Sequence, residues 1–217
     1  MNSRQLNREF SRLLVKRIPR EEISALAKFD RGQLLVRATQ KLDRLPYLDQ
    51  GRLDIVMQLD AEGTELVPVS FDQGEIALLS TLFSGGSTTS NIVAQESCRI
   101  RWLSKSAIEM AVVADSELSV LLIRFLSERL RENRVRERTW LMRSVDGRVR
   151  AILARSFSVG DRKEGDRIIS FTHEKLARRC GVSRPKISLA LKQLEISGIL
   201  KLHRGSIEIL DYQKLIQ

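Results

Sequence analysis

Residues 172–194 constrain this chain more than any other stretch: Thr-His-Glu-Lys-Leu-Ala-Arg-Arg-Cys-Gly-Val-Ser-Arg-Pro-Lys-Ile-Ser-Leu-Ala-Leu-Lys-Gln-Leu. One geometry accounts for nearly every position. Thr172 is placed to cap a first helix, its hydroxyl accepting an orphan backbone N–H. Leu176 and Ala177 then face inward, and Ala177 is small where a second helix must cross closely. Gly181 follows four residues later, where a tight turn favours positive φ at no steric cost. Val182 fills the corner, and Ser183 is expected to cap a second helix. Pro185 falls in that helix's first turn, where a missing N–H loses no hydrogen bond. Ile187, Leu191 and Leu194 run at helical spacing as a buried stripe. Arg184, Lys186, Ser188, Leu189 and Lys192 are left to point outward. The spacing predicts a helix-turn-helix with a basic outer face, suited to double-stranded DNA. An ordinary helical hairpin with a solvated basic face is the competing reading.

Gly198 to Leu210 follows as two short apolar runs around Arg204-Gly205-Ser206, a β-hairpin signature. A hairpin directly after a helix-turn-helix predicts a winged helix, with His203 and Arg204 at its tip in reach of phosphate. A hairpin that merely completes the core is equally compatible. Charge supports the placement. Between Leu53 and Cys98 there is no Lys or Arg against seven acids, so this block carries −7 of a net +10 and the remainder +17. Residues 140–217 hold 16 basic against 8 acidic side chains, or +8. A basic C-terminal module beside an acidic N-terminal one fits phosphate-backbone binding at one end of the chain.

Upstream, residues 3–27 read as helical, and Phe29–Val36 as a turn leading into a strand. Short apolar or alternating runs follow at Leu53–Leu59, Glu65–Val69, Glu75–Leu79, Asn91–Ala94 and Cys98–Leu103, punctuated by Gly51, Gly63, Gly74 and Gly85-Gly86. Strands at this spacing predict a small antiparallel barrel or sandwich. From Lys105 the period becomes helical. Leu118, Leu122, Leu126 and Leu130 recur every four residues, with Leu121 and Phe125 widening the stripe. A helix from about Ser116 to Arg143 would span roughly 40 Å, too long to be covered by so small a domain. A second copy is the natural cover, which makes Leu118, Leu122, Phe125, Leu126 and Leu130 a candidate dimer seam. Packing on the chain's own barrel is the alternative. Ser144–Gly147 is expected to break this helix, with another from Arg148 to Phe157.

The order of acidic β-domain, long helix, hinge and basic winged helix resembles the cyclic-AMP receptor protein/fumarate–nitrate regulator (CRP/FNR) family. The motif Leu176-Ala177-x-x-x-Gly181-Val182-Ser183-Arg184-Pro185-x-Ile187-Ser188-x-x-Leu191 carries the resemblance, supported by Gly147-Arg148 after the hinge. Phe29-x-x-Gly32 and Gln73-Gly74-Glu75 match the family's barrel turns. The resemblance implies an α+β fold: an antiparallel β-roll of the cyclic-nucleotide-binding kind over 1–103, dimerisation helices over 104–143, and a winged helix-turn-helix over 144–217. It also implies a cytoplasmic homodimer that regulates transcription from a palindromic operator, with RNA polymerase a further candidate partner. By the same resemblance the second helix enters the major groove. Thr172 and Ser183 would sit on phosphates, Arg184 would read a base, and Lys186 would reach a base or a phosphate. Family members often carry a Glu after this Arg and a second Arg four positions later. Pro185 and Leu189 stand there instead, so a different half-site is implied, with Leu189 able to touch a thymine methyl.

A second departure concerns the effector. In cyclic-nucleotide-binding members a Gly-Glu pair and an Arg-Ser pair flank the phosphate-binding helix. This chain has Leu78-Leu79 and Thr88-Thr89-Ser90 in those places. A hydroxyl donates a neutral hydrogen bond, roughly half as strong as a charge-assisted one, so cyclic AMP is not expected to bind in the usual way. Asn133 and Arg134 fall where the long helix lines the family's pocket. Arg134 either supplies the missing charge to another anionic effector or pairs with the acidic barrel. No cofactor or metal is expected. The cysteines are Cys98 and Cys180 and the histidines His173 and His203, too few thiols near the sensor for an iron–sulfur cluster and no barrel imidazole for haem. Cys98 reads as a small buried hydrophobe, with a redox switch the alternative. No nucleophile–base constellation suggests an enzyme, and Gly85-Gly86-Ser87 lacks the Lys of a phosphate loop. Neither a membrane span nor a secretory signal is expected. The readings left open are a regulator without a small effector, one gated by an anionic ligand, and a non-specific architectural nucleic-acid-binding protein.

Overall fold

The computed structural model describes residues 1–61, 63–84, 87–159 and 167–216. Gly85 and Gly86, read above as chain punctuation, lie outside the described residues, as does Glu62 of the acidic block. The chain forms two compact units, Met1–Met57 with Pro68–Asn133, and Gln58–Val67 with Arg134–Gln217.

In the first unit, helix α1 (Ser3–Leu14) starts at Asn2, whose side chain accepts the Gln5 N–H while the Gln5 side chain accepts the Asn2 N–H. Leu6, Phe10 and Leu14 bury its inner face. The expected helix over 3–27 therefore stops early: Pro19 disfavours helical backbone at Ile18, a 3-10 turn (Arg20–Glu22) follows, and the first strand begins at Ala27. The strands are β1 (Ala27–Phe29), β2 (Leu34–Val36), β3 (Arg44–Gln50), β4 (Arg52–Gln58), β5 (Glu65–Asp72), β6 (Asn91–Ala94) and β7 (Cys98–Ser104). They form two antiparallel sheets, ordered β1-β7-β3 and β2-β6-β4-β5. Leu45, Leu48, Leu53, Ile92, Ile100 and Leu103 are fully buried and form the core of this β-roll.

Two local assignments change. The strand β3 carries no clean alternation in the sequence and contains Pro46, yet it pairs with β7 over Arg44–Gln50. The run Glu75–Leu79 is not a strand. It lies beside β3, where Ala77 N–H donates to Pro46 O at 2.9 Å and Leu48 N–H to Glu75 O at 3.0 Å. Pro46 has no N–H to continue that ladder, and only an isolated bridge, Tyr47 to Ile76, forms. Leu78 then turns the chain away with φ of 64°.

Helix α2 (Lys105–Ala114) is capped by Ser104, and α3 (Ser116–Leu141) follows directly, with Asp115 Oδ1 accepting from Glu117 and Leu118 N–H. The chain restarts as α4 (Val145–Val159), earlier than expected, because Ser144 Oγ accepts the Gly147 N–H at 3.1 Å and so draws Gly147 into the first turn. The seam assignment also needs correcting. Leu118, Leu122 and Phe125 lie in the chain's own core, each under 5% exposed, and Leu126 is half-buried against it, whereas Leu130 is 56% exposed. The outer apolar face of α3 is Val120, Ile123 and Leu130.

The second unit holds α4, β8 (Ile168–Ile169), α5 (His173–Cys180), α6 (Arg184–Ile196), β9 (Leu200–His203), β10 (Ser206–Ile209) and α7 (Tyr212–Leu215). Its core gathers Val149, Leu153, Leu176, Ala177, Ile187, Leu191 and Leu194 from three helices with Ile199, Ile207 and Ile209 from the hairpin.

Candidate nucleic-acid interface

Both helices of the motif start and stop where local chemistry demands. Thr172 has extended backbone, and its Oγ1 accepts the Lys175 N–H at 3.1 Å. Gly181 closes α5 with φ of 64° while its N–H donates to Ala177 O. Ser183 holds the N-cap position of α6, but contrary to expectation its side chain accepts no cap hydrogen bond; its carbonyl accepts from Ile187 N–H instead. The Ser183 hydroxyl is left on the surface beside Arg184, Pro185 and Lys186, all exposed. Leu189 follows, 64% exposed, on the face opposite buried Ile187 and Leu191.

Three expected outward residues have partners. Lys192 Nζ lies 2.9 Å from Glu195 Oε2, and Glu195 also accepts the Leu202 N–H, the larger cause of its lowered carboxyl pKa. Ser188 is half-buried, and its Oγ lies 2.9 Å from His173 Nδ1. This corrects the reading of Ser188 as freely outward: the first turn of α5 packs against one side of it and leaves the rest partly exposed. On the hairpin, β10 pairs with both β8 and β9. His203 Nε2 lies 2.9 Å from Glu208 Oε2, and Arg204 stands exposed at the turn beside Gly205, whose φ is 77°. The α5 cations are engaged within the same unit: Arg178 Nε lies 2.9 Å from Glu65 Oε2, and Arg179 Nη1 donates to Val67 O at 3.2 Å.

Residues 147–217 match the family model of the Crp-like helix-turn-helix domain. The chain also shares its fold with solved structures. A CooA variant from Carboxydothermus hydrogenoformans superposes with a TM-score of 0.75 at 18% identity, over 90% of this chain and 87% of that one. FixK2 from Bradyrhizobium japonicum gives 0.71 at 17%, over 88% and 94%. TTHA1359, a CRP/FNR-family transcriptional regulator from Thermus thermophilus, gives 0.64 at 22%, over 88% and 96%. Residues 147–217 are thus a Crp-like helix-turn-helix domain, in a chain that shares its fold with a CRP/FNR-family regulator. No curated protein matches it at significant similarity.

The effector candidates are placed as follows. Leu78 and Leu79 are buried in the hydrophobic core. Thr88 and Ser90 are buried and bonded to each other, Thr88 Oγ1 donating to Ser90 O at 3.0 Å and accepting Ser90 N–H at 3.3 Å, while Thr89 is exposed. Asn133 and Arg134 are exposed on α3. The thiols are both buried, and burial pushes Cys98 upward and Cys180 up to about 12. Such thiols are poor nucleophiles at neutral pH. Among the described residues no group of three His, Cys, Asp or Glu is placed to hold a metal ion, and no helix is long and apolar enough to cross a membrane.

Sequence reasoning passed over two features of this surface. His173 approaches Ser188 across fifteen positions, a distance no periodicity links. The other is Ile196, 76% exposed at the end of α6.

Proposed function

We propose that the protein is a homodimeric, sequence-specific transcription regulator that lays α6 in the major groove of each half of a palindromic operator. The observation that carries this reading is the row Arg184, Lys186 and Leu189, exposed on one side of a helix whose other side, Ile187, Leu191 and Leu194, is buried. Arg184 reads guanine by bridging O6 and N7. Lys186 reaches a base or a phosphate, and Leu189 packs on a thymine methyl. Thr172, Ser183 and Arg204 position the domain on phosphates, with Lys192 and His203 drawn from their carboxylate partners only on contact with DNA. Two copies on one duplex would place their helices about 34 Å apart.

Dimerisation is supported by the outer face of α3, where Val120, Ile123 and Leu130 repeat at three- and seven-residue intervals and are 45%, 62% and 56% exposed. That spacing is the seam of a two-stranded coiled coil, and the self-complementary partner is a second α3. Binding without cyclic AMP is supported by Leu78 and Leu79. Buried leucines stand where a carboxylate would be needed to accept from a ribose hydroxyl.

Selection of bound duplexes from a random pool by the ligand-free protein, at near-physiological salt, tests the reading. Enrichment of one palindrome is expected. Enrichment of nothing above bulk DNA would overturn effector-free specific binding, leaving a gated or a non-specific protein, which a thermal-shift screen of anionic metabolites separates. Calorimetric binding of cyclic AMP at micromolar concentration would sink the effector claim alone.

A further inference from the structure

On the proposed groove face, α5 and α6 are tied by a hydrogen bond between two side chains, His173 Nδ1 and Ser188 Oγ, 2.9 Å apart. Ser188 lies one helical turn after Arg184 and one before Lys192, both of which meet DNA in the reading above. A serine hydroxyl carries one hydrogen and two lone pairs. Which of them faces outward depends on what the imidazole takes. In neutral histidine the proton resides preferentially on Nε2, which leaves the Nδ1 lone pair to accept. Ser188 then donates its only hydrogen to His173, and what remains toward the groove is an acceptor.

That assignment has a chemical consequence. An outward acceptor is complementary to the N6 amine of adenine or the N4 amine of cytosine. It is repelled by guanine O6 and N7, by thymine O4 and by phosphate oxygens, all acceptors themselves. Without His173 the hydroxyl would rotate freely and could donate to any of these, or fold back onto the Arg184 carbonyl one turn earlier. We propose that His173 is a specificity-determining positioning residue, which takes the Ser188 hydrogen and so makes α6 select an amine-bearing base at the pair beneath Ser188. The inference rests on the DNA-binding function proposed above.

The test measures wild type, Ser188→Ala, His173→Ala, the double variant and His173→Asn on the selected operator and on its single-base-pair replacements. At one base pair, wild type is expected to prefer adenine or cytosine on the contacted strand by about fivefold, the size of one neutral hydrogen bond. Ser188→Ala and His173→Ala should each flatten that preference alone, and the double variant should be no flatter than either. His173→Asn should keep it, because the asparagine Oδ1 can accept where Nδ1 did. Thermal melts of each variant separate this from a folding defect, which would weaken all sequences together. The proposal is overturned if His173→Ala lowers affinity for every sequence alike, if the preference that Ser188→Ala removes survives in His173→Ala, or if the base selected beneath Ser188 presents only acceptors. Should wild type enrich no duplex at all, the DNA-binding function itself falls; an operator found but insensitive to His173 leaves that function standing and removes only this inference.

Discussion

A single exposed guanidinium in the first turn of α6 has no structural duty to perform, so its loss should be read in DNA and not in stability. Arg184→Ala is expected to cost about 1–3 kcal/mol at one base pair of the operator and to relax the preference there. Competition binding against single-base-pair replacements checks this, and an equal loss on every sequence would make Arg184 a phosphate contact. Glu75 presents the opposite case, a carboxylate with a folding role and no exposure. It is 1% exposed, and its Oε2 accepts the Asp72 N–H at 2.7 Å. Burial pushes its carboxyl above the ordinary 4.5, only partly opposed by that hydrogen bond and by Arg4. A carboxyl raised in the folded state binds its proton more tightly there than in the unfolded chain. Its contribution to stability is therefore full below about 4.5 and is lost as pH rises through the folded value. Glu75→Gln, uncharged throughout, escapes that loss. Urea melts at pH 5 and 7 should show the stability of the variant rising relative to wild type as pH rises; a relative fall instead would refute the sign.

At the scale of elements, α3 separates its two faces by neighbouring residues. Leu122 is buried in the β-roll core and Ile123 is exposed beside it. Leu122→Ala should lower unfolding stability by about 2–5 kcal/mol, as truncations in packed cores do. Ile123→Glu with Leu130→Glu should leave the protomer folded and make it sediment as a monomer. A double variant that stays dimeric would place the interface elsewhere. The same helix shows why part of this molecule was legible in its sequence and part was not. The leucines at four-residue spacing announce an apolar stripe, but two apolar faces less than a turn apart blur into one in a linear pattern, so the spacing alone puts Leu118, Leu122 and Phe125 on a seam although they are core. The helix-turn-helix was legible because its determinants are local: a Thr cap, a Gly in the turn, a Pro in the first turn. The strand β3 was not, because Pro46 argues against a ladder and only the partner β7, more than fifty residues on, shows that its N–H was not needed. The His173–Ser188 pair was invisible for the same reason, being made by the crossing of two helices.

At the scale of the whole molecule, charge and symmetry meet in one measurable quantity. The C-terminal residues 140–217 carry +8 while the block from Leu53 to Cys98 carries −7, so phosphate contacts are expected on the winged-helix module and not on that block. Each neutralised phosphate contributes about −0.9 to the slope of log affinity against log salt. A substitution in a homodimer on a palindrome is made twice on every duplex. Lys186→Gln should therefore reduce the magnitude of the slope by about 1.8 if Lys186 touches phosphate in both half-sites, and by about 0.9 if only one module engages at a time. Binding isotherms of wild type and variant at four or five salt concentrations distinguish these outcomes. An unchanged slope with preference lost at one base pair per half-site would move Lys186 from the backbone to a base edge. Repeating the series in the Ile123→Glu, Leu130→Glu background joins the scales: a protein that has become monomeric should show the single increment, whatever the operator's symmetry.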